Sequence, residues 1–144
     1  MQVHEIMRQK VEIADPNMTI RDVARKMRAG NIGCLPVGEN DRLIGMITDR
    51  DIAVRAVADG RAPGNTSVRD VMSEGVGYCF EDDDAEAAAQ IMAKHQVRRL
   101  PVLNHDKRLV GVIALADLGR SEARSAQGAL HGVSEPTDKE RRHI

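Results

Sequence analysis

Shifted by 65 residues, this sequence falls on itself. Val3 meets Val68, Met7 meets Met72, Val11 meets Val76, Ala24 meets Ala89 and Met27 meets Met92. Leu35-Pro36-Val37 meets Leu100-Pro101-Val102, and Asp41 meets Asp106. One extra residue near Asp106 then moves the shift to 66, and Leu43, Gly45, Ile47 and Asp51 meet Leu109, Gly111, Ile113 and Asp117. A period of this length means one small supersecondary unit made twice. We divide the 144 residues into a first unit at 1–62, a second at 63–122 and a polar tail at 123–144, which reads as disordered.

Both copies carry the same pattern. In the first, residues 11–14 read as a short strand ended by Asp15-Pro16-Asn17. Thr19 heads a helix whose Ile20, Val23, Ala24 and Met27 recur at spacings of three and four, marking one buried face. Gly30 is its expected end. Strands at 34–37 and 43–47 flank a turn at 38–41, and Thr48 opens a second helix to about residue 59. In the second copy the corresponding strands are 76–79, 99–103 and 109–114, with helices after the acidic run 81–84 and from Leu115. A short amphipathic turn precedes each copy. Ser67 is a candidate cap for the second, with Asp70 completing a capping box. The fold class is therefore α/β (α+β), two β-α-β-β-α units related by a pseudo-twofold axis. A three-stranded sheet of this size needs a packing partner, so the two copies are expected to pack through their small sheets and to leave two equivalent ligand sites.

Composition removes several function classes. Charged residues make up 30% of the chain and leave a formal net charge of −1, whereas a nucleic-acid binder carries a basic surface. Tyr78 and Phe80 supply all the Phe, Tyr and Trp rings, too few for base-stacking platforms. No apolar run approaches a membrane span, and the N-terminus lacks the apolar stretch of a secretory signal. We therefore expect a cytoplasmic chain with Cys34 and Cys79 reduced. No nucleophile, base and orienting group cluster, and there is no phosphate-binding Walker loop or His-Glu-x-x-His motif. No catalytic residue and no metal ligand are assigned, and no cofactor is required. The acidic run 81–84 complements the positive end of the following helix. His131 and His143 fall in the tail.

The stretch GMITDRDI at 45–52 is the strongest candidate for chemistry. Thr48 stands where a strand hands over to a helix, and free N–H groups at a helix start attract phosphate. Gly45 allows a ligand or another backbone to come close. Asp51 can hold a vicinal diol through two acceptor oxygens, and Arg99 offers a planar fork to a phosphate. The same Thr-x-x-Asp is also a capping-box variant that needs no ligand. In copy two Ala114 replaces the threonine while Asp117 remains. If both sites bind, the Thr48 site is expected to bind more tightly, by about 1.5–3 kcal/mol for one charge-assisted hydrogen bond.

The stretches IGCLPVGENDRLIGMITDRDI at 32–52 and VRRLPVLNHDKRLVGVIALADL at 97–118 resemble a tandem pair of cystathionine-beta-synthase domains, or Bateman module. The resemblance covers about residues 3 to 119, and short stand-alone bacterial members, including hypoxia-response proteins, look much like the whole chain. It implies a regulatory module for AMP, ADP, ATP or a related adenosyl ligand. Thr48 would contact phosphate and Asp51 the ribose hydroxyls, with Arg50 beside them and Ile32, Cys34 and Pro36 lining the site. Copy two would add Gly77, Tyr78 and the phosphate partner Arg99, and Asp117 would serve the second site. The resemblance further implies a disc-shaped homodimer, held through the apolar faces of the helices opened by Thr19 and Thr48, that signals to a downstream protein not named by the sequence. The alternative is a structural or interaction protein with degenerate sites, or one that responds to metal or oxidant through Cys34, Cys79 and the histidines.

Overall fold

The computed structural model describes the backbone of residues 1–121 and the side chains of residues 1–119. The predicted tail, with His131 and His143, lies outside the described residues. The fold is mixed α/β with small sheets, as the pattern requires, and it forms two compact units. One is Glu12–Val76; the other joins Met1–Val11 to the chain from Gly77 onward. The sequence repeat divides at 62/63, whereas packing divides the chain so that each copy's entry segment lies in the unit of the other copy.

In the unit Glu12–Val76, helix α1 spans Ile20–Gly30. Thr19 caps it, its hydroxyl accepting from Asp22 N–H at 3.2 Å. Gly30 is the last helical residue but not the left-handed stop, which is Asn31 at φ 51°. Asparagine tolerates that region because its short polar side chain can bond locally. Ile20, Val23 and Met27 point into a core with Leu35, Val37, Ile47, Val68 and Val71. Strands β1 (Cys34–Glu39) and β2 (Arg42–Thr48) form an antiparallel hairpin. Helix α2 (Asp49–Ile52) continues into a π-helical turn at Ala53–Val57, and α3 spans Val68–Val71. Ser67 precedes α3 without making the capping bond expected of it. Asp70, its intended partner, instead pairs with Arg61 at 3.2 Å.

The other unit contains β3 (Cys79–Phe80), α4 (Ala85–His95), β4 (Arg99–Leu103), β5 (Leu109–Ala114) and α5 (Leu115–Ser121). Its sheet runs β3-β4-β5, parallel between β3 and β4 and antiparallel between β4 and β5. The first strand begins at Cys79, later than the expected 76–79. In copy one the corresponding strand shrinks to a single parallel bridge, Ala14 to Val37. The reason lies in one residue. Glu81 N–H donates to Leu103 O at 2.9 Å and extends the ladder. The equivalent position in copy one is Pro16, which has no N–H to donate.

The turns explain the change of shift. Copy one turns through Asn40 (φ 57°) and Asp41 (φ 63°), between Glu39 and its partner Arg42, the two-residue left-handed turn that suits a hairpin. Copy two uses a longer turn in which Asn104 N–H bonds Arg108 O at 3.0 Å and Lys107 takes φ 61°. Each hairpin then carries a register shift before the same glycine, between Val37 and Gly38 in one and Val102 and Leu103 in the other.

The exchanged entry segments complete both units. Val3 is fully buried with Cys79, Ala88, Leu100 and Ile113, and its N–H bonds Asp83 O at 2.9 Å. In the other unit Val68 N–H bonds Met18 O at 2.8 Å. Each segment also lies along the second strand of its hairpin, Ser73 opposite Met46 and Arg8 opposite Val112. A Cβ on Gly45 would stand 2.6 Å from Ser73 O, and one on Gly111 would stand 2.6 Å from Arg8 O. The close approach that these glycines permit is therefore one of backbone to backbone.

Candidate functional site

The end of β2 delivers Thr48 to the start of α2. Its hydroxyl accepts from Asp51 N–H at 3.0 Å, and Asp51 Oδ2 accepts from Thr48 N–H at 3.0 Å. The capping box is thus closed in both directions, and it fixes the Asp51 carboxylate against the backbone. That side chain is 12% exposed. Its second oxygen, Oδ1, accepts from Ser73 Oγ at 3.3 Å and lies 3.8 Å from Arg55 Nε.

The helix start does not offer the open phosphate cradle expected from sequence. Asp49 N–H donates to Gly33 O at 2.9 Å, Arg50 N–H to Asp49 Oδ1 at 2.8 Å, and Asp51 N–H to the Thr48 hydroxyl. The first-turn donors are satisfied within the chain, and Asp49 and Asp51 already place two carboxylates on the positive end of the helix. Phosphate recognition here would have to come from side-chain cations. Arg50 is exposed. Cys34 is the cross-strand partner of Thr48 and is buried. Pro36, also buried, accepts from Ala14 N–H at 2.9 Å through its carbonyl. Ile32 is half-buried against the core of its unit.

In the other unit, Asp117 keeps half of the box without a threonine. Its Oδ2 accepts from Ala114 N–H at 2.9 Å, and the residue is 1% exposed. Leu115 N–H donates to Arg98 O at 2.8 Å, matching the Asp49 to Gly33 bond of copy one. Capping therefore accounts for an aspartate at this position even where the threonine is lost. Gly77 is closed over by a histidine: a Cβ there would meet His95 Cδ2 at 2.8 Å. Tyr78, 36% exposed, stands edge-on to Phe80 at 5.6 Å. Arg99 begins β4 and is half-buried, while Arg98 beside it is exposed, as strand alternation requires. Thr48, Asp51, Arg50, Ile32, Cys34 and Pro36 thus belong to one unit, and Gly77, Tyr78, Arg99 and Asp117 to the other.

Sequence reasoning did not single out Ser73 or Arg55. Arg55 lies one helical turn beyond Asp51, an i,i+4 spacing that could have raised it. Its Nη1 also donates to Met72 O at 3.0 Å and Val71 O at 3.4 Å. Ser73 reaches Asp51 only through the Met46 pairing, which no local pattern announces.

Among the described residues, His105 and Asp82 of the second unit make an exposed ionic contact. His105 lies 2.6 Å from Asp82 Oδ2 and stacks on Phe80 at 5.2 Å. The hydrogen bond that His105 donates to Asp82, with that carboxylate's charge, raises the His105 pKa, and the same bond lowers that of Asp82. Cys79 is buried, and desolvation, with the nearby Asp83 charge, pushes its thiol up to about 12. Among the described residues no group of three or more His, Cys, Asp or Glu side chains could hold a metal. No described helix is long and apolar enough to cross a membrane.

Comparison with known proteins agrees with this architecture. The CBS domain family model matches residues 3–57 and 68–121. The CBS domain-containing protein YhcV of Bacillus subtilis is 42% identical over 134 residues, covering 92% of this chain and 94% of that protein. The crystal structure of Hypoxic Response Protein I with two coordinated zinc ions superposes with a TM-score of 0.78 at 33% identity, covering 85% of this chain and 99% of that one. The CBS domain pair of protein MJ0100, solved in complex with 5′-methylthioadenosine and S-adenosyl-L-methionine, superposes with a TM-score of 0.72 at 27% identity, covering 83% and 94%. With both copies matched, and with relatives similar over nearly their whole length, the chain belongs to the CBS domain family.

Proposed function

We propose that this protein is a non-catalytic regulatory module that binds an adenosyl ligand, AMP, ADP, ATP or a relative such as S-adenosyl-L-methionine, at the Thr48–Asp51 turn. One observation carries the reading: the Asp51 carboxylate is fixed through Oδ2, while Oδ1 holds only a 3.3 Å bond to a serine hydroxyl and a 3.8 Å contact to Arg55. Both are long for charge-assisted bonds, so a ribose diol could displace them at little cost. The bound adenosyl compounds of the MJ0100 pair support that ligand class. In this reading Arg50 serves the phosphate or other 5′ group and Ile32, Cys34 and Pro36 line the site; within the other unit Gly77, Tyr78 and Arg99 stay candidate ligand residues, and the more buried Asp117 is the candidate of the second site. We place the protein in the cytoplasm as a homodimer that passes its signal to another protein. The apolar face of α1 is used by its own core, which leaves Val54 and Val57, 49% and 62% exposed, as the apolar contact of the second helix.

The test is a thermal-shift titration with AMP, ADP, ATP, 5′-methylthioadenosine and S-adenosyl-L-methionine. Ligand at a hundred times its Kd should add about 2.7 kcal/mol. Asp51→Asn, which keeps an oxygen for Thr48 N–H, should remain folded and lose the shift. No shift with any of the five compounds would overturn the proposal.

A further inference from the structure

Resting on that reading of Asp51 as the diol acceptor, we infer that Ser73 is an internal competitor for the ligand, and that its release makes the segment at residues 72–75 the reporter of occupancy. Three observations meet at this point. Asp51 Oδ1, the oxygen not committed to the helix cap, accepts the Ser73 hydroxyl at 3.3 Å. The Arg55 guanidinium reaches Asp51 with one nitrogen and the carbonyls of Met72 and Val71 with another. Ser73 is also the residue that pairs with β2 through Met46, with bonds of 2.8 and 3.0 Å. A single carboxylate oxygen therefore ties the end of α3 and the strand-like segment after it to the start of α2.

A ribose diol is the same chemistry as the serine hydroxyl it would replace, supplied twice on adjacent carbons. When two hydroxyls take Oδ1, the serine loses its acceptor, and Arg55 loses part of the charge that holds it over the α3 carbonyls. The segment then keeps its two backbone bonds to Met46 but loses its side-chain ties. The segment ends at Gly75, φ 67°, with nothing within 4 Å of a Cβ placed there, so a change in the segment meets no packed neighbour at that point. This segment is the stretch of chain that leads out of the unit Glu12–Val76. In copy two the residues aligned with Ser73 and Arg55 are Arg8 and Ser121, so the same pair of residue types is not repeated there.

The test uses the full chain with AMP and 5′-methylthioadenosine, and with 2′,3′-dideoxy-AMP as the control without a diol. Calorimetry gives affinity, and hydrogen exchange of peptides spanning residues 71–76 gives the response. On the wild type, AMP or 5′-methylthioadenosine should speed exchange in that segment several-fold, and dideoxy-AMP should not. Ser73→Ala should bind the diol ligands at least threefold more tightly and exchange faster in the segment before ligand is added. Ser73→Thr, which keeps the hydroxyl, should behave as wild type. If the wild type binds but the segment is unchanged or slowed, or if Ser73→Ala binds equally or less well, the inference fails and the ligand reading stands. If the wild type binds neither diol ligand, the inference fails, and the ligand reading fails with it when ADP, ATP and S-adenosyl-L-methionine do not bind either.

Discussion

Thr48 and Asp51 show how one pair of side chains serves the fold before it serves a ligand. Their mutual bonds close the first turn of α2, so Thr48→Ala should cost about 1 kcal/mol of stability with no ligand present, measured by urea denaturation. Asp117 makes the backbone half of the same contact without a threonine, which is why the loss of a hydroxyl at Ala114 leaves the aspartate in use. The surface pair His105 and Asp82 yields a pH prediction. A raised histidine pKa stabilises the fold below the unfolded value near 6.5 and loses that contribution as pH rises through the folded value. A lowered aspartate pKa stabilises above about 3.8 and is lost as pH falls through the folded value. His105→Gln should therefore lower Tm around pH 5.5 and match wild type by pH 8.5, with a small effect because both groups are solvent-exposed.

At the scale of elements, the glycines of the two hairpins mark where another backbone crosses the strand. Gly45→Ala or Gly111→Ala would force a methyl against a carbonyl that is itself held in a bridge. Each should cost about 1–3 kcal/mol, seen as a lower denaturation midpoint with an unchanged slope. From sequence Gly45 offers room for a ligand or a backbone, and the Ser73 carbonyl decides for the backbone. The turns behave as their residue types dictate. Asn40-Asp41 accepts two left-handed residues, while Lys107 carries the left-handed position of the longer turn at a steric cost. Lys107→Gly should stabilise the protein by up to about 1 kcal/mol in the same denaturation assay. Pro16 shows a local residue overriding the repeat: one missing N–H reduces a strand to a bridge.

For the whole molecule, the exchange of entry segments separates the order of the repeat from the order of packing. Val3 precedes copy one in the chain but is buried among residues of copy two. Val3→Ala should cost on the order of 2 kcal/mol. Hydrogen exchange should show the loss of protection in β4 and β5, leaving β1 and β2 much as before. The opposite pattern would mean that the segment packs with the copy it precedes. Cys79, buried with its thiol pushed up to about 12, should resist alkylation in the native protein and react once it is unfolded, which argues against a redox role for that residue.

The sequence by itself determined the repeat, the order of the elements, both hairpins, the Thr19 cap and the pairing of Thr48 with Asp51. All of these rest on interactions a few residues apart or on a period visible in the chain. It could not show that Ser73 reaches the Asp51 carboxylate, that Val3 completes the core of the other copy, or that Gly33 O already takes the Asp49 N–H at the start of α2. Those depend on which backbone lies against which strand. Such pairings, between positions some 16 to 110 residues apart, are fixed by the filling of a core, and no local pattern encodes them.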